Sequence, residues 1–383
     1  MHELINYIKN KYSHLDRIPL HTPTLGEVEK KTVCDVIDTG YISSVGRAVD
    51  EFERAICDFT GSKNCVVSSS GTAALHLALM SIGVGRDDLV ITQAFSFVAT
   101  ANAISYTGAK PIFLDIAVDT WSLCPKNLEK WLYKNTNFRM GKCILNSTSE
   151  CIKSVVVMNT FGNPGHLLAI KKICKEWGLI LIEDAAESLG SFYGNTHTGI
   201  IGDIGIYSFN GNKIITTGGG GAVVTSDNNI ASRVKHLSTT AKVDSGTFFD
   251  HDEIGYNYRM PNINAALGLA QLSKINQFLY QKRLIAYEYM SIFEKTDMSF
   301  FKEINGTTSN YWLCSVLCPN KKIRNVLLND LLDSGIEARP PWKLLHQLPM
   351  YNSSLTDKLR ITSDIYERAI SLPSTPLLAG RNE

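Results

Sequence analysis

One lysine, Lys213, lies five residues after Ser208 and five before a run of four glycines at 218–221. A lysine amine in water is protonated at neutral pH and a poor nucleophile. Burial or a neighbouring cation makes such an amine reactive toward a carbonyl carbon. Consecutive glycines cost backbone entropy, and a chain carries them where another group must approach its backbone. A second stretch, residues 178–187 (GLILIEDAAE), reads as a buried strand with Asp184 at its carboxyl end. In open α/β sheets that end is where ligands bind. A third stretch, residues 68–79 (SSSGTAALHLAL), follows an apolar strand and opens an Ala/Leu-rich helix. The N–H groups and dipole at such a helix start, here Gly71 and Thr72, suit a phosphate.

An amine, a strand-end acid and a phosphate cradle are the parts that pyridoxal 5'-phosphate requires of a protein. No G-x-G-x-x-G follows a strand and no G-x-x-x-x-G-K-[ST] occurs, which removes the dinucleotide and P-loop readings. The words G-T-A-A-L, E-D-A-A-E, S-F-N-G-N-K with the four glycines, and G-Y-N-Y-R-M occur in this order. Together they resemble the DegT/DnrJ/EryC1/StrS family of sugar-nucleotide aminotransferases, from about residue 19 to residue 376. The resemblance implies an α/β fold of fold type I, with a mostly parallel sheet in a large domain and a smaller α+β C-terminal domain.

The resemblance also implies roles. Lys213 is the Schiff-base lysine and the catalytic proton carrier. Asp184 pairs with the pyridinium nitrogen and keeps the ring an electron sink. Gly71, Thr72 and Ser208 hold the phosphate, and Asn257 reaches it from the neighbouring subunit of a homodimer with shared active sites. Phe97 stacks on the ring, although a core phenylalanine has the same helical spacing. Glu187 stands where the family more often has Gln or His near the ring hydroxyl. An acid there is a departure that marks a subgroup or simply faces solvent. Ser43, Arg259, Tyr311 and Arg339 are the candidate substrate contacts, with Trp312 and Trp342 as further stacking surfaces. Arginine suits a diphosphate.

The reaction implied has two halves. L-glutamate converts the cofactor to pyridoxamine phosphate, and a 4-keto-6-deoxy sugar nucleotide then takes the amine, for bacterial surface-glycan (lipopolysaccharide, O-antigen) biosynthesis. The segments 40–46, 251–262 and 309–313 resemble the legionaminic-acid-pathway members, which act on a UDP-linked 2-acetamido-4-keto-2,6-dideoxy hexose. A GDP-linked 4-keto-6-deoxymannose is the alternative acceptor. A pyridoxamine-dependent sugar dehydratase would carry histidine in place of the lysine. A non-catalytic relative would have lost Lys213 or Asp184.

Composition agrees with a soluble enzyme. The 383 residues hold 38 basic and 37 acidic side chains, a net charge of +1, so no global field favours nucleic acid. The nine scattered cysteines form no CxxC pair, so reduced thiols, no metal site and a cytoplasmic location are expected. No signal peptide or membrane-spanning run is expected.

The elements that must position these residues alternate. Strands at 64–68, 89–93, 110–114, 154–158 and 179–183 interleave with helices at 72–82, 98–107 and 166–177, the pattern of a parallel sheet covered on both faces. Two strands within 203–225 flank the lysine loop. Helical patterns fill residues 1–16, 25–40 and 48–56, and residues 135–153 read as an inserted surface loop. Residues 1–260 are expected to form the large cofactor-binding domain with its N-terminal helical segment. Residues 261–383 supply the linking helix and the small C-terminal domain.

Overall fold

The computed structural model describes residues 2–245 and 248–377. Three helices lead in: α1 (His2–Lys11), α2 (Glu27–Thr39) and α3 (Arg47–Thr60). The alternating part follows with β1 (Asn64–Ser68), α4 (Gly71–Ser81), β2 (Asp88–Gln93), α5 (Val98–Tyr106) and β3 (Lys110–Leu114). Next come α6 (Pro125–Asn135), β4 (Thr136–Arg139), β5 (Lys142–Leu145), β6 (Cys151–Met158), α7 (Leu167–Glu176) and β7 (Ile180–Asp184). A small hairpin, β8 (Phe192–Tyr193) and β9 (Thr196–His197), precedes β10 (Ile204–Ser208) and β11 (Gly221–Thr225).

The large sheet runs β1-β11-β10-β7-β6-β2-β3. Its strands from β10 to β3 are parallel, and β11 is inserted antiparallel between β10 and β1. Being covered on both faces, the central strands are apolar without alternation: Val155, Val156 and Val157 are all fully buried. One face packs Leu128 and Leu132 of α6 with Leu167 and Ile170 of α7. The other packs the Ala/Leu surface of α4 with Ile104 of α5 and Val234 of α8 (Asn228–Ser238). The inserted strand has a positional consequence. Gly221 at the start of β11 lies between Ser208 and Ser68, the last residues of β10 and β1. The lysine loop therefore leaves and re-enters the sheet at its carboxyl edge.

The stretch expected as a surface loop at 135–153 is instead a hairpin. β4 pairs with β5, and β5 pairs with the first residues of β6. The reason is an edge: β6 starts at Cys151, but β7 joins it only from Ser154, so residues 151–152 would present unpaired backbone on that side. Cys143 and Leu145 turn inward beneath α6 and α7 while the intervening residue is only half-buried, the alternation of a one-sided strand.

The rest of the chain adds β12 (Lys242–Ser245), β13 (Phe248–His251), α9 (Asn262–Leu272) and α10 (Ile275–Phe293). It ends with β14 (Ser299–Phe300), β15 (Thr307–Thr308), β16 (Cys314–Leu317), α11 (Lys321–Asp333), α12 (Arg360–Arg368) and β17 (Ala369–Leu372). α9 lies against α2 and α3, and a Cβ on Gly268 would meet the Phe52 ring at 2.6 Å, so the small residue sets how closely these helices approach. Leu4 and Ile8 of α1 pack with Ile285 and Tyr289 of α10, Leu327 of α11 and the β14-β16-β17 sheet, not with the large sheet. β15 pairs with β8, tying the C-terminal part to the segment after Asp184. All nine cysteines are free thiols, and among the described residues no helix is long and apolar enough to cross a membrane.

Candidate active site

At the carboxyl edge of the sheet a cavity of about 330 Å³ is lined by Gly71, Thr72, Phe97, Asp184, Glu187, Ser208 and Lys213 together. These come from four separate segments of the chain. Their convergence is the geometric content of the sequence motifs.

One end of the cavity is the start of α4. Ser70 is the N-cap, and its hydroxyl accepts the Ala73 N–H at 3.0 Å. The N–H groups of Gly71 and Thr72, in the first turn, have no acceptor within the helix. Gly71 has no room for a side chain: a Cβ would stand 2.8 Å from the Ser208 Cβ and 3.0 Å from its hydroxyl. A Cβ on Gly221 would meet the Ser70 carbonyl at 2.5 Å. Both glycines let the lysine loop and the helix start close around one small concavity of N–H and O–H donors, which fits a phosphate.

Asp184 ends β7 and is 5% exposed. Its carboxylate accepts the Thr100 hydroxyl at 2.8 Å and the Ala186 N–H at 3.3 Å. Burial pushes its pKa up, against these two donors and the Lys213 charge. A carboxylate so desolvated fits a cationic ring nitrogen delivered by a ligand. The preceding Glu183 faces the other side of the strand and is satisfied by the N–H groups of Gly199, Ile201 and Gly202. Two adjacent acids thus have separate tasks, one structural and one open to the cavity.

Glu187 does not face solvent; it is 3% exposed. Oε2 accepts the Phe161 N–H at 2.9 Å, and Oε1 lies 3.3 Å from Lys213 Nζ. Phe161 adopts a left-handed backbone (φ 54°), an unfavourable conformation for a phenylalanine, within the turn whose N–H meets this carboxylate. Burial raises the Glu187 carboxyl to about 7, with Lys213 and the Phe161 N–H opposing and Asp184 adding to the rise. Lys213 Nζ also sits 3.9 Å from the centre of the Trp312 ring, a cation–π contact. The Trp312 indole N–H donates to the Asn212 carbonyl at 2.6 Å. Phe97, half-exposed at the start of α5, and Trp342, with ring centres 6.1 Å apart, form an aromatic wall of the cavity.

The candidate substrate contacts are not gathered there. Ser43 is exposed and gives its carbonyl to the Asn262 N–H at 2.7 Å. Arg259 is half-buried beside Ser68 and outside the cavity lining. Arg339 has a side chain 68% exposed, 3.8 Å from Glu337. Tyr311 is corrected by the structure: its φ of 46° turns the ring into the core around Leu4, Tyr289 and Val316, 1% exposed, while Trp312 faces the cavity. Asn257 is exposed and lines no part of this chain's cavity. Sequence reasoning missed Thr100, Asn210 and Asn212. Thr100 stands one turn after Phe97 on the same helix, and that i, i+3 spacing was the available signal.

The raised Glu187 carboxyl has a signed consequence. Its folded value of about 7 exceeds the ordinary 4.5, so the folded apoprotein binds more protons than the unfolded chain between those pH values. Stability from this group is complete below the lower value and is lost as pH rises through the upper one. Thermal midpoints of the apoprotein at pH 5 and pH 7.5 should therefore fall more for the wild type than for Glu187→Gln. Equal falls would refute the assignment.

The model of the DegT/DnrJ/EryC1/StrS aminotransferase family matches residues 23–382. The chain is 36% identical over 362 residues to the GDP-perosamine synthase of Escherichia coli O157:H7, covering 94% of each. It is 33% identical over 353 residues to a UDP-4-amino-4,6-dideoxy-N-acetyl-beta-L-altrosamine transaminase of Campylobacter jejuni, covering 90% of this chain and 87% of the other. Among solved structures it is similar to Helicobacter pylori PseC, an aminotransferase involved in the biosynthesis of pseudoaminic acid. That match has a TM-score of 0.83 and 28% identity over 94% of each chain. The aminotransferase TlmJ of Streptoalloteichus hindustanus gives a TM-score of 0.85 and 28% identity over 94% of this chain and 93% of that one. The chain belongs to the DegT/DnrJ/EryC1/StrS aminotransferase family, enzymes that use pyridoxal phosphate to aminate nucleotide-linked sugars.

Proposed function

We propose that this enzyme moves an amino group from L-glutamate to C4 of a UDP-linked 2-acetamido-4-keto-2,6-dideoxy hexose. The observation that carries the aminotransfer is the convergence of Lys213, Asp184 and the start of α4 on one cavity. Pyridoxal phosphate supplies an aldehyde and a ring that accepts the electron pair left when a Cα proton departs. Gly71, Thr72 and Ser208 hold its phosphate, Asp184 its ring nitrogen, and Phe97 one of its faces. Lys213 would hold the cofactor at its aldehyde carbon and would carry a proton to and from the reacting carbon, as a general acid–base. Glu187, 3.3 Å from that amine, keeps a second proton-holding group in reach. Trp312 and Trp342 wall this end of the cavity with aromatic rings.

The UDP-linked acceptor is favoured by the words at 40–46, 251–262 and 309–313 and by the transaminase relatives of Campylobacter jejuni. The GDP-linked 4-keto-6-deoxymannose is a second reading, favoured by GDP-perosamine synthases of three organisms at 32–36% identity. Asn257 is read as serving a second copy of the chain, because it is exposed and lies outside its own cavity.

Three outcomes check this reading. Lys213→Ala should lose the visible absorption of the bound cofactor and at least ~100-fold in turnover; a variant that keeps both would remove the lysine from its role. With L-glutamate as donor, the wild type should turn over the UDP-linked ketosugar at a higher kcat/KM than the GDP-linked one, and the reverse order selects the second reading. Lys213→Ala mixed and refolded with an inactive Asn257→Ala should regain activity, through hybrids carrying one intact site. No recovery, or a monomer by light scattering, would sink the shared site.

A further inference from the structure

We propose that Lys282 is a positioning residue, whose buried amine fixes the main chain of Trp312 so that the indole is held against Lys213. The inference rests on Lys213 being the reacting amine.

Lys282 lies in α10 and is fully buried. Its Nζ donates to the Trp312 carbonyl at 2.6 Å, the Ser374 carbonyl at 2.6 Å and the Ser374 hydroxyl at 3.0 Å. That accounts for all three donors of an ammonium group. The Ser374 hydroxyl in turn donates to the Trp312 carbonyl at 2.9 Å. Among the described residues no carboxylate pairs with Lys282. A position needed only for packing would take methionine or leucine and avoid burying an amine. What the amine provides instead is direction: it fixes one carbonyl oxygen of one residue.

That residue is the one that reaches the cavity. On its far side Trp312 is bound by the Asn212 carbonyl through its indole, and its ring lies under Lys213. The turn that carries it is conformationally unfavourable, with Tyr311 at φ 46°, so it needs restraint from outside. Asn310 gives part of that restraint, donating to the carbonyls of Glu187 and Leu189 and accepting the Trp312 N–H. Lys282 adds to it, from the C-terminal part of the chain. The titratable groups around the amine are His21 and Cys314, and Lys213 acts on the same His21. Both lysines lower the His21 pKa after burial does, and burial lowers Lys282 itself to about 7.

The test uses the holoenzyme and L-glutamate without any sugar, following loss of visible absorption in a single turnover across pH 6 to 9. Lys282→Met should still bind pyridoxal phosphate and unfold cooperatively. It should slow this half-reaction roughly 10- to 100-fold at saturating glutamate, with an apparent glutamate affinity within about twofold of wild type. The pH midpoint of the bound-cofactor spectrum should move, and the apoprotein should change in near-ultraviolet circular dichroism. Trp312→Leu should slow the step similarly, and the double variant should be no slower than Trp312→Leu alone. Unchanged rate and spectrum in Lys282→Met, or effects that multiply in the double variant, would overturn the proposal. If Lys282→Met does not fold, Ser374→Ala removes one acceptor and should give a smaller slowing with the same spectral shift; its silence is equally fatal. A Lys213→Ala enzyme that keeps its colour and turnover defeats the reading of the site itself, whereas silent Lys282 and Ser374 variants defeat only this inference.

Discussion

Burying a carboxylate is unfavourable unless hydrogen bonds or a cation compensate, and Asp184 is buried with two hydrogen-bond donors. Much of the surrounding architecture follows from that. A parallel strand has to end at this point so that the acid projects beyond the sheet, and the strand must be central so that water is excluded from both faces. Thr100 at the start of the neighbouring helix gives one hydrogen bond and leaves the acid able to accept another. A cationic ring nitrogen docked there would complete the position, and the fold keeps it desolvated so that such a pairing would be strong.

The inserted strand β11 solves the second geometric problem. A parallel sheet delivers strand ends to one edge but offers few ways to bring a loop back to that edge at short range. By running antiparallel between β10 and β1, β11 begins where its neighbours end. The segment from Phe209 to Gly220 is therefore pinned at both ends within the active edge, and Lys213 has little freedom to leave it. The glycines follow from this arrangement. Gly218 takes φ 78°, and Gly221 passes against the backbone of Ser70 and Gly71, where no side chain fits.

Much of this was legible in the chain itself. The apolar runs ending in Asp184 and in the serines at 68–70, the alternation of strand and helix, and the glycine run around Lys213 are local signals, set by burial and backbone sterics. What was hidden depends on partners distant in sequence. The hairpin at 136–145 looks polar because one face is exposed, and it exists only because the start of β6 has an open edge. Tyr311 and Trp312 are equivalent by composition, and a single left-handed backbone decides which of the two faces the cavity. Lys282, in a helix of ordinary amphipathic appearance, gives no local sign that its amine is enclosed by carbonyls from residues 312 and 374.

The acid at 187 changes the charge balance of the site. Gln at that position would place no second negative charge beside Lys213. With Glu187, two desolvated acids share one cavity with a single amine, and Asp184 raises the proton affinity of Glu187. A cation docking at Asp184 stabilises that carboxylate, so of the two acids Glu187 is the better placed to hold a proton. Glu187 in turn is fixed by the Phe161 N–H on one oxygen and faces Lys213 with the other. The Lys213 amine thus has a largely buried neighbour whose carboxyl exchanges a proton near neutral pH. A glutamine could keep one of these two hydrogen bonds but could not exchange the proton, so the two residue types suit different proton demands at one position.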